Sequence, residues 1–530
     1  MPGKPHIKLR ADAMFPGFAG GAHHGASTVG RDVSEWYTAR GSADGDTLPD
    51  LSELIPRARD IRRNNGFAQS IVSTAVEGIV GTGIRFCSQP DYLRLQSIDA
   101  RFTKEWAEEF AAKYEAIFHE WWWSTACHAG DTKTGDMLTE EVLYAKFDNG
   151  GSLTLAMWLP KRGDGFATKL QTVEIDRLSN PNNAPNTTKL RGGVARDDFG
   201  MPLGYHVKTS HPGDGVPLGM NSGEWEYIPR RTPFGRLRVI HDFDGDRADQ
   251  SRGKPLLSAV LDQFKNIDRY VKAEIQAALM NAMIWGAITT PLDHEDIVDL
   301  FKGNAEALKA RVDHKVRMQS GTLATLFPGD KLESFLPQRP AAGFGVFVEN
   351  IEKIITVATG IPHILSKKDF AKSNYSNTRA ALADAYRGYS RRRDRLGAGW
   401  LDPSNALLME EVVNDGRIDA PRFYEFKRAY LRGMWIGPTL VYIDKENEVK
   451  GDILSVNANM DTLERIAASR GMNWREMIDQ RATEIAYCKK KGVDPTVVIP
   501  GDPTKRTVPG VDPNADPNAA DNATTESAPA

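Results

Sequence analysis

Thiols are scarce in this sequence: Cys87, Cys127 and Cys488 are the three cysteines among 530 residues. So few exclude a disulfide framework and suggest assembly in a reducing cytosol. Long apolar runs are missing as well. A membrane helix needs ~18 apolar residues, and the best stretch, Ser70 to Ile84, is broken by Glu77, Gly78, Gly81 and Gly83. The first residues, MPGKPHIKLRADAMFPGFAG, have no continuous apolar core, so no secretory signal is expected. Excess charge is lacking too. The net charge is −3. The last thirty residues account for all of it, with Asp502, Asp512, Asp516, Asp521 and Glu526 set against Lys505 and Arg506. A tight, indiscriminate nucleic-acid binder is usually basic. A neutral body still permits a protein that touches DNA without holding it.

Familiar catalytic signatures are also absent. There is no G-x-S-x-G elbow, no H-E-x-x-H and no Rossmann fingerprint. Ser251 to Pro255 resembles a phosphate-binding loop only superficially. It lacks the earlier glycine, and Pro255 stands where a Ser or Thr would hold magnesium. Cys127-His128 with His119 fits no structural zinc spacing, so buried or half-exposed thiols are expected there. The run Trp121-Trp122-Trp123 reads as packing or a subunit contact, because a helix points three consecutive residues in different directions.

What is present is a globular composition, 41% hydrophobic, 26% charged and 9% aromatic. At ~100–200 residues per domain, the length allows several domains. The order is helix, then strands, then helix, which predicts a predominantly helical α+β class. Residues 1–50 read as an arm that orders only against a partner. Residues 51–80 are helical with a break at Asn64-Asn65-Gly66 and an end at Gly81-Thr82-Gly83. Helices are expected at 101–123 and 138–149. Strands follow between 151 and 240, in SLTLAMWL, KLQTVEI and MPLGYHVKT.

The clearest element is Leu256 to Trp285. Leu257, Val260, Phe264, Ile267, Val271 and Ile275 hold one face, and Asp262, Lys265, Asp268, Arg269, Lys272 and Glu274 hold the other. At ~1.5 Å per residue this predicts a rod about 45 Å long. Residues 291–341 read as short strands joined by turns, Phe344 to Thr359 as a helix, and 363–376 as a loop. Asn377 to Leu396 is a basic helix with Arg379, Arg387, Arg391, Arg392, Arg393 and Arg395. Further helices are expected at 402–414, 421–432 and 461–490. Residues 500–530 hold too little apolar bulk to offset chain entropy and are expected to be disordered.

Three features carry candidate chemistry. Asp242 to Asp249 is a dense carboxylate cluster, and hard cations favour such ligands. Arg247 and Gly253 break the calcium-loop pattern, so the plainer reading is a polar loop before a helix. The sharper one is a metal-dependent phosphodiester hydrolase. Lys367, Lys368 and Lys372 either form a solvated surface or offer mobile charges to phosphate. The arginine-rich helix reads as a solvated or subunit-bridging face.

Several stretches taken in order resemble one family. They are RARDIRRNNGFAQSIVSTAVEGIVGTGI (57–84), VEIDRLSN (173–180), GGVARDDFGMPLGYHV (192–207) and VIHDFDGDRADQSRGKPLLSAVL (239–261). FPGDKLESFLPQRPAAGF (327–344) and GIPHILSKKDFAKSNYSNTRAALADAYR (360–387) follow. The sequence resembles the lambda-like family of tailed-bacteriophage portal proteins. It departs from the family near IDKENEVKGD (443–452), where Lys445 stands in place of the usual Pro.

The resemblance implies a non-catalytic ring of subunits, typically a dodecamer, at one capsid vertex of the virion. Double-stranded DNA would pass through it without base readout during packaging and ejection. The implied partners are the terminase large subunit, the major capsid protein and the head-tail connector, with assembly in the host cytoplasm and no cofactor, metal or membrane. The alternatives are the hydrolase above and a scaffold or adaptor without a channel. The implied subdomains are an arm (1–50), a wing (51–255), a stem helix (256–290), a clip (291–341) and a second stem helix (342–361). A tunnel loop (362–376), wing-return segments (377–454), crown helices (455–492) and a tail (493–530) complete the chain. On this scheme Lys367, Lys368 and Lys372 belong to the tunnel loop, and the polar stem face looks into the channel.

Overall fold

The computed structural model describes residue 38 and residues 40–162, 164–214, 224–283, 287–289, 306, 309, 331–333, 343–371, 374–438 and 444–493. A described helix lies inside the expected arm. Ser42 caps a short helix, α1 (Ala43–Thr47), accepting the Gly45 N–H at 3.0 Å. Asp44 is buried and accepts from the Ser251 N–H and hydroxyl, both at 2.7 Å. Arg191 lies 3.2 Å away and supplies the counter-charge that makes such burial tolerable. Residues 40–50 are therefore tied into their own chain, contrary to the arm expectation.

Helices α2 (Leu51–Asn64) and α3 (Gly66–Ile79) are separated by Asn65. Its side chain accepts the Phe67 and Ala68 N–H groups at 3.0 and 3.1 Å, so the break is an N-cap. Strand β1 (Arg85–Ser88), the turn of helix α4 (Tyr92–Leu95), α5 (Lys104–Trp123) and α6 (Gly135–Asn149) follow. Trp121 and Trp122 are fully buried, donating to Thr168 O at 3.0 Å and Asp136 Oδ1 at 3.2 Å. The tryptophan run is packing for its first two members.

The strand-rich segment makes two antiparallel sheets. One has the order β3 (Thr168–Val173), β2 (Gly151–Trp158), β8 (Val239–Phe243). The other joins β4 (Leu190–Arg191), β5 (Val194–Arg196), β6 (Pro202–Lys208) and β7 (Trp225–Pro229) in sequence order. Leu153 of β2 pairs with Val173 and His241, which sets the buried face of the first sheet. Tyr205, Val207 and Ile228 bury the face of the second beside Leu51 and Ile55 of α2.

The rod comes next and is shorter than expected. Residues Ser258–Val260 form a 3-10 turn, and the α-helix α7 runs Leu261–Met283. At ~1.5 Å per residue that is about 35 Å. Val260 N–H bonds to Leu257 O at 2.9 Å, and both side chains are buried, so packing tightens the entry turn. Short strands β9 (Ala287–Thr289) and β10 (Lys331–Glu333) pair antiparallel. Most of the 291–341 expectation lies outside the described residues, as do residues 494–530.

Helix α8 (Phe344–Thr359) has the expected bounds. The stretch read as a loop contains one helical turn, α9 (His363–Lys367), between Pro362 and Lys368. Helix α10 (Tyr375–Leu396) continues through a π turn, Gly397–Leu401, into α11 (Asp402–Asn414). Helix α12 (Phe423–Tyr430) leads to strand β11 (Gly433–Ile436), which pairs with β1. The last helices are α13 (Lys445–Asn457), α14 (Leu463–Ser469) and α15 (Trp474–Lys490). The helix expected over 461–490 is thus two helices, divided at Gly471, whose φ is +69°.

A single large apolar cluster joins α3, α5, α6, the first turns of α7, α8, α10 and α11. The rod is rooted there. Gly150 ends α6 with φ +82°, and a Cβ on Gly253 would sit 1.9 Å from its carbonyl oxygen. The Leu256 N–H then bonds to Phe147 O at 2.8 Å. Two bare glycines let the strand that enters the rod cross the end of α6.

Candidate functional site

The rod pair is built from α7 and α8. Near the base Phe264 is fully buried, with its ring 6.2 Å from Phe67. Farther out Tyr270 meets Phe344 and Phe347 at 5.5 and 5.1 Å. Several apolar positions along both helices lack cover. Ile275 and Leu279 on α7 and Val346, Ile354 and Val357 on α8 are exposed, Val357 by 82%.

The proposed polar stem face is only partly one face. Asp262, Lys265, Arg269 and Lys272 are exposed. Asp268 is half-buried and accepts from Asn65 Nδ2 at 2.9 Å. Glu274 is buried, correcting its assignment to the solvent side. It follows Ile267 by seven residues, or two turns, and so shares the face of a core residue.

Helix α8 ends in a left-handed glycine. Gly360 has φ +70°, its N–H bonds to Thr356 O at 3.0 Å, and the Ile361 N–H returns to the same oxygen at 3.3 Å. The chain then turns at Pro362 into α9. Lys367 reaches back to Glu352 Oε2 at 2.6 Å, and His363 Nε2 lies 3.4 Å from the same oxygen. The Ser70 hydroxyl bonds to Ser366 O at 2.5 Å, which fixes the turn on α3. Lys368 is exposed, has φ +54° and stands 3.9 Å from Glu77. Lys372 lies outside the described residues. The structure therefore places Lys367 in an ion pair and Lys368 at the turn's edge.

Glu352 was not singled out by sequence. The spacing of fifteen residues to Lys367 crosses a helix end and carries no periodic signal. Two arginines of α10 are visible in the sequence as part of the basic helix, but their partners are not. Arg393 Nε donates to Ile79 O at 2.9 Å and its Nη2 to Gly78 O at 3.2 Å. Arg392 Nη2 donates to Thr359 O at 2.6 Å. Each guanidinium caps the C-terminal carbonyls of a different helix, α3 and α8, where positive charge is favourable. These two residues are internal clamps and not a solvated face. Arg379 and Arg395 stay partly exposed, 3.8 Å from Glu448 and 3.7 Å from Asp244.

The carboxylates of 242–249 do not converge on a cation site. Asp242 is buried 3.0 Å from Lys146, and burial pushes its carboxyl above the usual range despite that ammonium. Asp246 pairs with Lys254 at 2.7 Å, and Asp249 pairs with Arg191 at 3.0 Å and with Arg196. Drawn to different cations, with Asp242 and Asp244 sharing Lys146, they form no ligand group among the described residues, and the hydrolase reading is not favoured. Cys127 is buried, and desolvation raises its thiol to about 12. His119 packs against Trp123 with ring centres 3.9 Å apart and the planes tilted by 52°. Among the described residues, Glu174, Asp176 and His211 form a possible ligand group. His211 Nδ1 accepts the Gly213 N–H at 2.9 Å, so the proton sits on Nε2, 2.8 Å from Glu174. Asp176 is occupied by Arg59, so the trio reads as an Arg59–Asp176 ion pair beside a neutral imidazole.

Among the described residues no helix is long and apolar enough to cross a membrane. The sequence pattern described as phage portal protein, lambda family, matches residues 29–393. The chain belongs to that family. It is similar to portal protein B of Escherichia phage lambda, 27% identical over 495 residues, covering 90% of this chain and 91% of that protein. It is also 27% identical to the portal protein of Escherichia phage N15 over 497 residues, with 90% and 92% covered. Among solved structures, a chain from the neck of an empty gene transfer agent particle matches at a TM-score of 0.45 and 16% identity, covering 84% of this chain and 99% of that one.

Proposed function

We propose that this chain is the subunit of a ring at one capsid vertex, typically a dodecamer. Double-stranded DNA is driven in through its centre during packaging and leaves through it on infection. The observation that carries the reading is the family match over residues 29–393, extended by the lambda and N15 portal proteins across nine-tenths of the chain. The bare apolar positions of α7 and α8 support it, because exposed Val346, Ile354 and Val357 offer apolar surface that a neighbouring subunit could cover. A heterologous contact whose rotation closes on itself generates such a ring.

The ring is a conduit and not an enzyme. The terminase large subunit supplies the motor, the major capsid protein surrounds the ring, and the head-tail connector follows. Exposed Asp262, Lys265, Arg269 and Lys272 mix signs along one face of α7. Mixed charge suits sliding, since each phosphate neutralised adds affinity that would stall the duplex. Lys367, Lys368 and Lys372 act as transient guides at the turn beyond α8. Residues 291–341 meet the motor, and the helices after 455 form the crown.

The test is direct. Purified full-length protein is measured by light scattering and imaged in negative stain. Rings with a lumen wider than a DNA duplex are expected; a chain that stays monomeric under capsid-assembly conditions overturns the reading.

A further inference from the structure

A cleft of about 500 Å³ lies where the root of the rod, the end of α8 and the arginine helix meet. One face of α10 lines it through Gly388, Arg391, Arg392 and Arg395, spaced i, i+3, i+4 and i+7. The opposite wall comes from the end of α6 and the segment between β8 and α7. It brings Lys146, Lys254, Asp244 and Asp246.

The charges do not balance. Lys146 is 3.0 Å from Asp242 and 3.4 Å from Asp244, and Lys254 is 2.7 Å from Asp246. Arg395 shares Asp244 at 3.7 Å. Among the described residues Arg391 has no carboxylate within ion-pair distance. Arg392 spends one N–H on Thr359 O and has no carboxylate either. The five cations thus exceed the three nearby carboxylates by two charges. Burial lowers the affinity of Arg392 for its proton; Tyr389 and Asp244 oppose that shift, and Arg391 and Arg395 add a smaller push in the same direction as burial. The floor is bare: a Cβ on Gly388 would lie 3.9 Å from Gly360 O, and one on Gly360 would lie 3.8 Å from Arg392 Nη2.

We propose that this cleft is an anion site that binds a phosphate group through the Arg391, Arg392 and Arg395 face of α10. Arg391, and the N–H groups of Arg392 not used on Thr359 O, match a phosphate dianion or two phosphodiesters in charge, and their planar forks match its oxygens. The volume leaves room for an attached sugar or for water. The phosphate comes either from a nucleic-acid backbone or from a free ion or nucleotide. The proposal rests on the cleft and not on the ring reading, so either can fail alone.

Full-length protein is titrated calorimetrically with sodium phosphate in an acetate background of equal ionic strength. A short DNA duplex is titrated in a second arm. Wild type binds phosphate saturably above acetate. Arg391→Gln, which removes an exposed side chain, weakens it about tenfold or more, the value of one charged hydrogen-bonding partner. Arg391→Lys recovers part of the loss, and Lys161→Gln, an exposed cation elsewhere, changes nothing. If duplex affinity falls with phosphate affinity in Arg391→Gln, the source is the DNA backbone. If duplex binding is unchanged while phosphate binding weakens, the source is a small ion. Phosphate binding no tighter than acetate, or equal in wild type and Arg391→Gln, overturns the site.

Discussion

Arg393 and Ile79 are 314 positions apart, yet the Arg393 Nε–H bonds to the Ile79 carbonyl at 2.9 Å. The guanidinium is buried and flat against Gly437, where a Cβ would lie 2.2 Å from Nε. It closes the end of α3 and pins the arginine helix to it. Arg393→Ala leaves two buried carbonyls without donors. A loss of about 2–3 kcal/mol is expected, read as a lower urea midpoint. An unchanged midpoint would mean that water replaces the cap.

The crossing of Gly150 and Gly253 sets a second expectation. Gly253→Ala forces a methyl into the Gly150 carbonyl, which cannot move aside like a side-chain tip. The cost should exceed about 2 kcal/mol. Gly451→Ala, in open space on exposed α13, should be neutral or slightly stabilising. Thermal melts of the two variants give the contrast.

Acid sensitivity should trace to His241. Its half-buried ring packs between Tyr205 and Phe243 with Nε2 buried and without a hydrogen-bond partner, and desolvation depresses it to about 3. The unfolded chain therefore takes up a proton near pH 6.5 that the folded chain refuses until about pH 3. Stability from this group is full above pH 6.5 and drains away as pH falls toward 3. His241→Phe should shrink the difference between denaturant midpoints at pH 7 and pH 5. An equal difference in both proteins would remove His241 as the cause.

The bare apolar positions of α8 test assembly apart from folding. Val357→Lys places a cation in the last turn of a helix, where the dipole favours it. The monomer should keep its stability to within about 0.5 kcal/mol. Ring formation should be lost or strongly reduced in light scattering. Rings of normal yield would mean that this part of α8 faces solvent in the assembly.

Guidance of DNA by the turn beyond α8 is tested at Lys368. Its φ of +54° suits glycine, so Lys368→Gly removes the charge and relaxes the backbone. Lys368→Glu reverses the charge. Ring formation should survive both, and in-vitro packaging should fall further in Lys368→Glu than in Lys368→Gly. Equal packaging in all three proteins would end the guide role.

The outlines of α2, α3, α6, α8 and α11 were legible because apolar spacing, caps and glycine stops agree there. The Asn65 break shows this, since its side chain is itself the cap. The rod was overextended because Leu257 and Val260 keep helical spacing while their backbone tightens into a 3-10 turn. Helix α13 was not anticipated, as none of its residues is buried and no apolar stripe marks it. At the candidate site the lysines were visible as residue types. Their partners were not, because Glu352 meets Lys367 across a helix end and Arg392 meets Thr359 across 33 positions. Burial of Glu274 was available in principle from its two-turn offset from Ile267.

The pairing of β1 with β11 has a consequence for biosynthesis. Arg85 finds its partner Ile436 only after the entire rod and its return have left the ribosome. Phe86, Phe118 and Trp435, whose rings meet around that junction, stay unprotected until then. Such distant closure makes folding slow and leaves the nascent subunit exposed to aggregation. Infected cells producing this chain in quantity should therefore draw on chaperones before any shell is built.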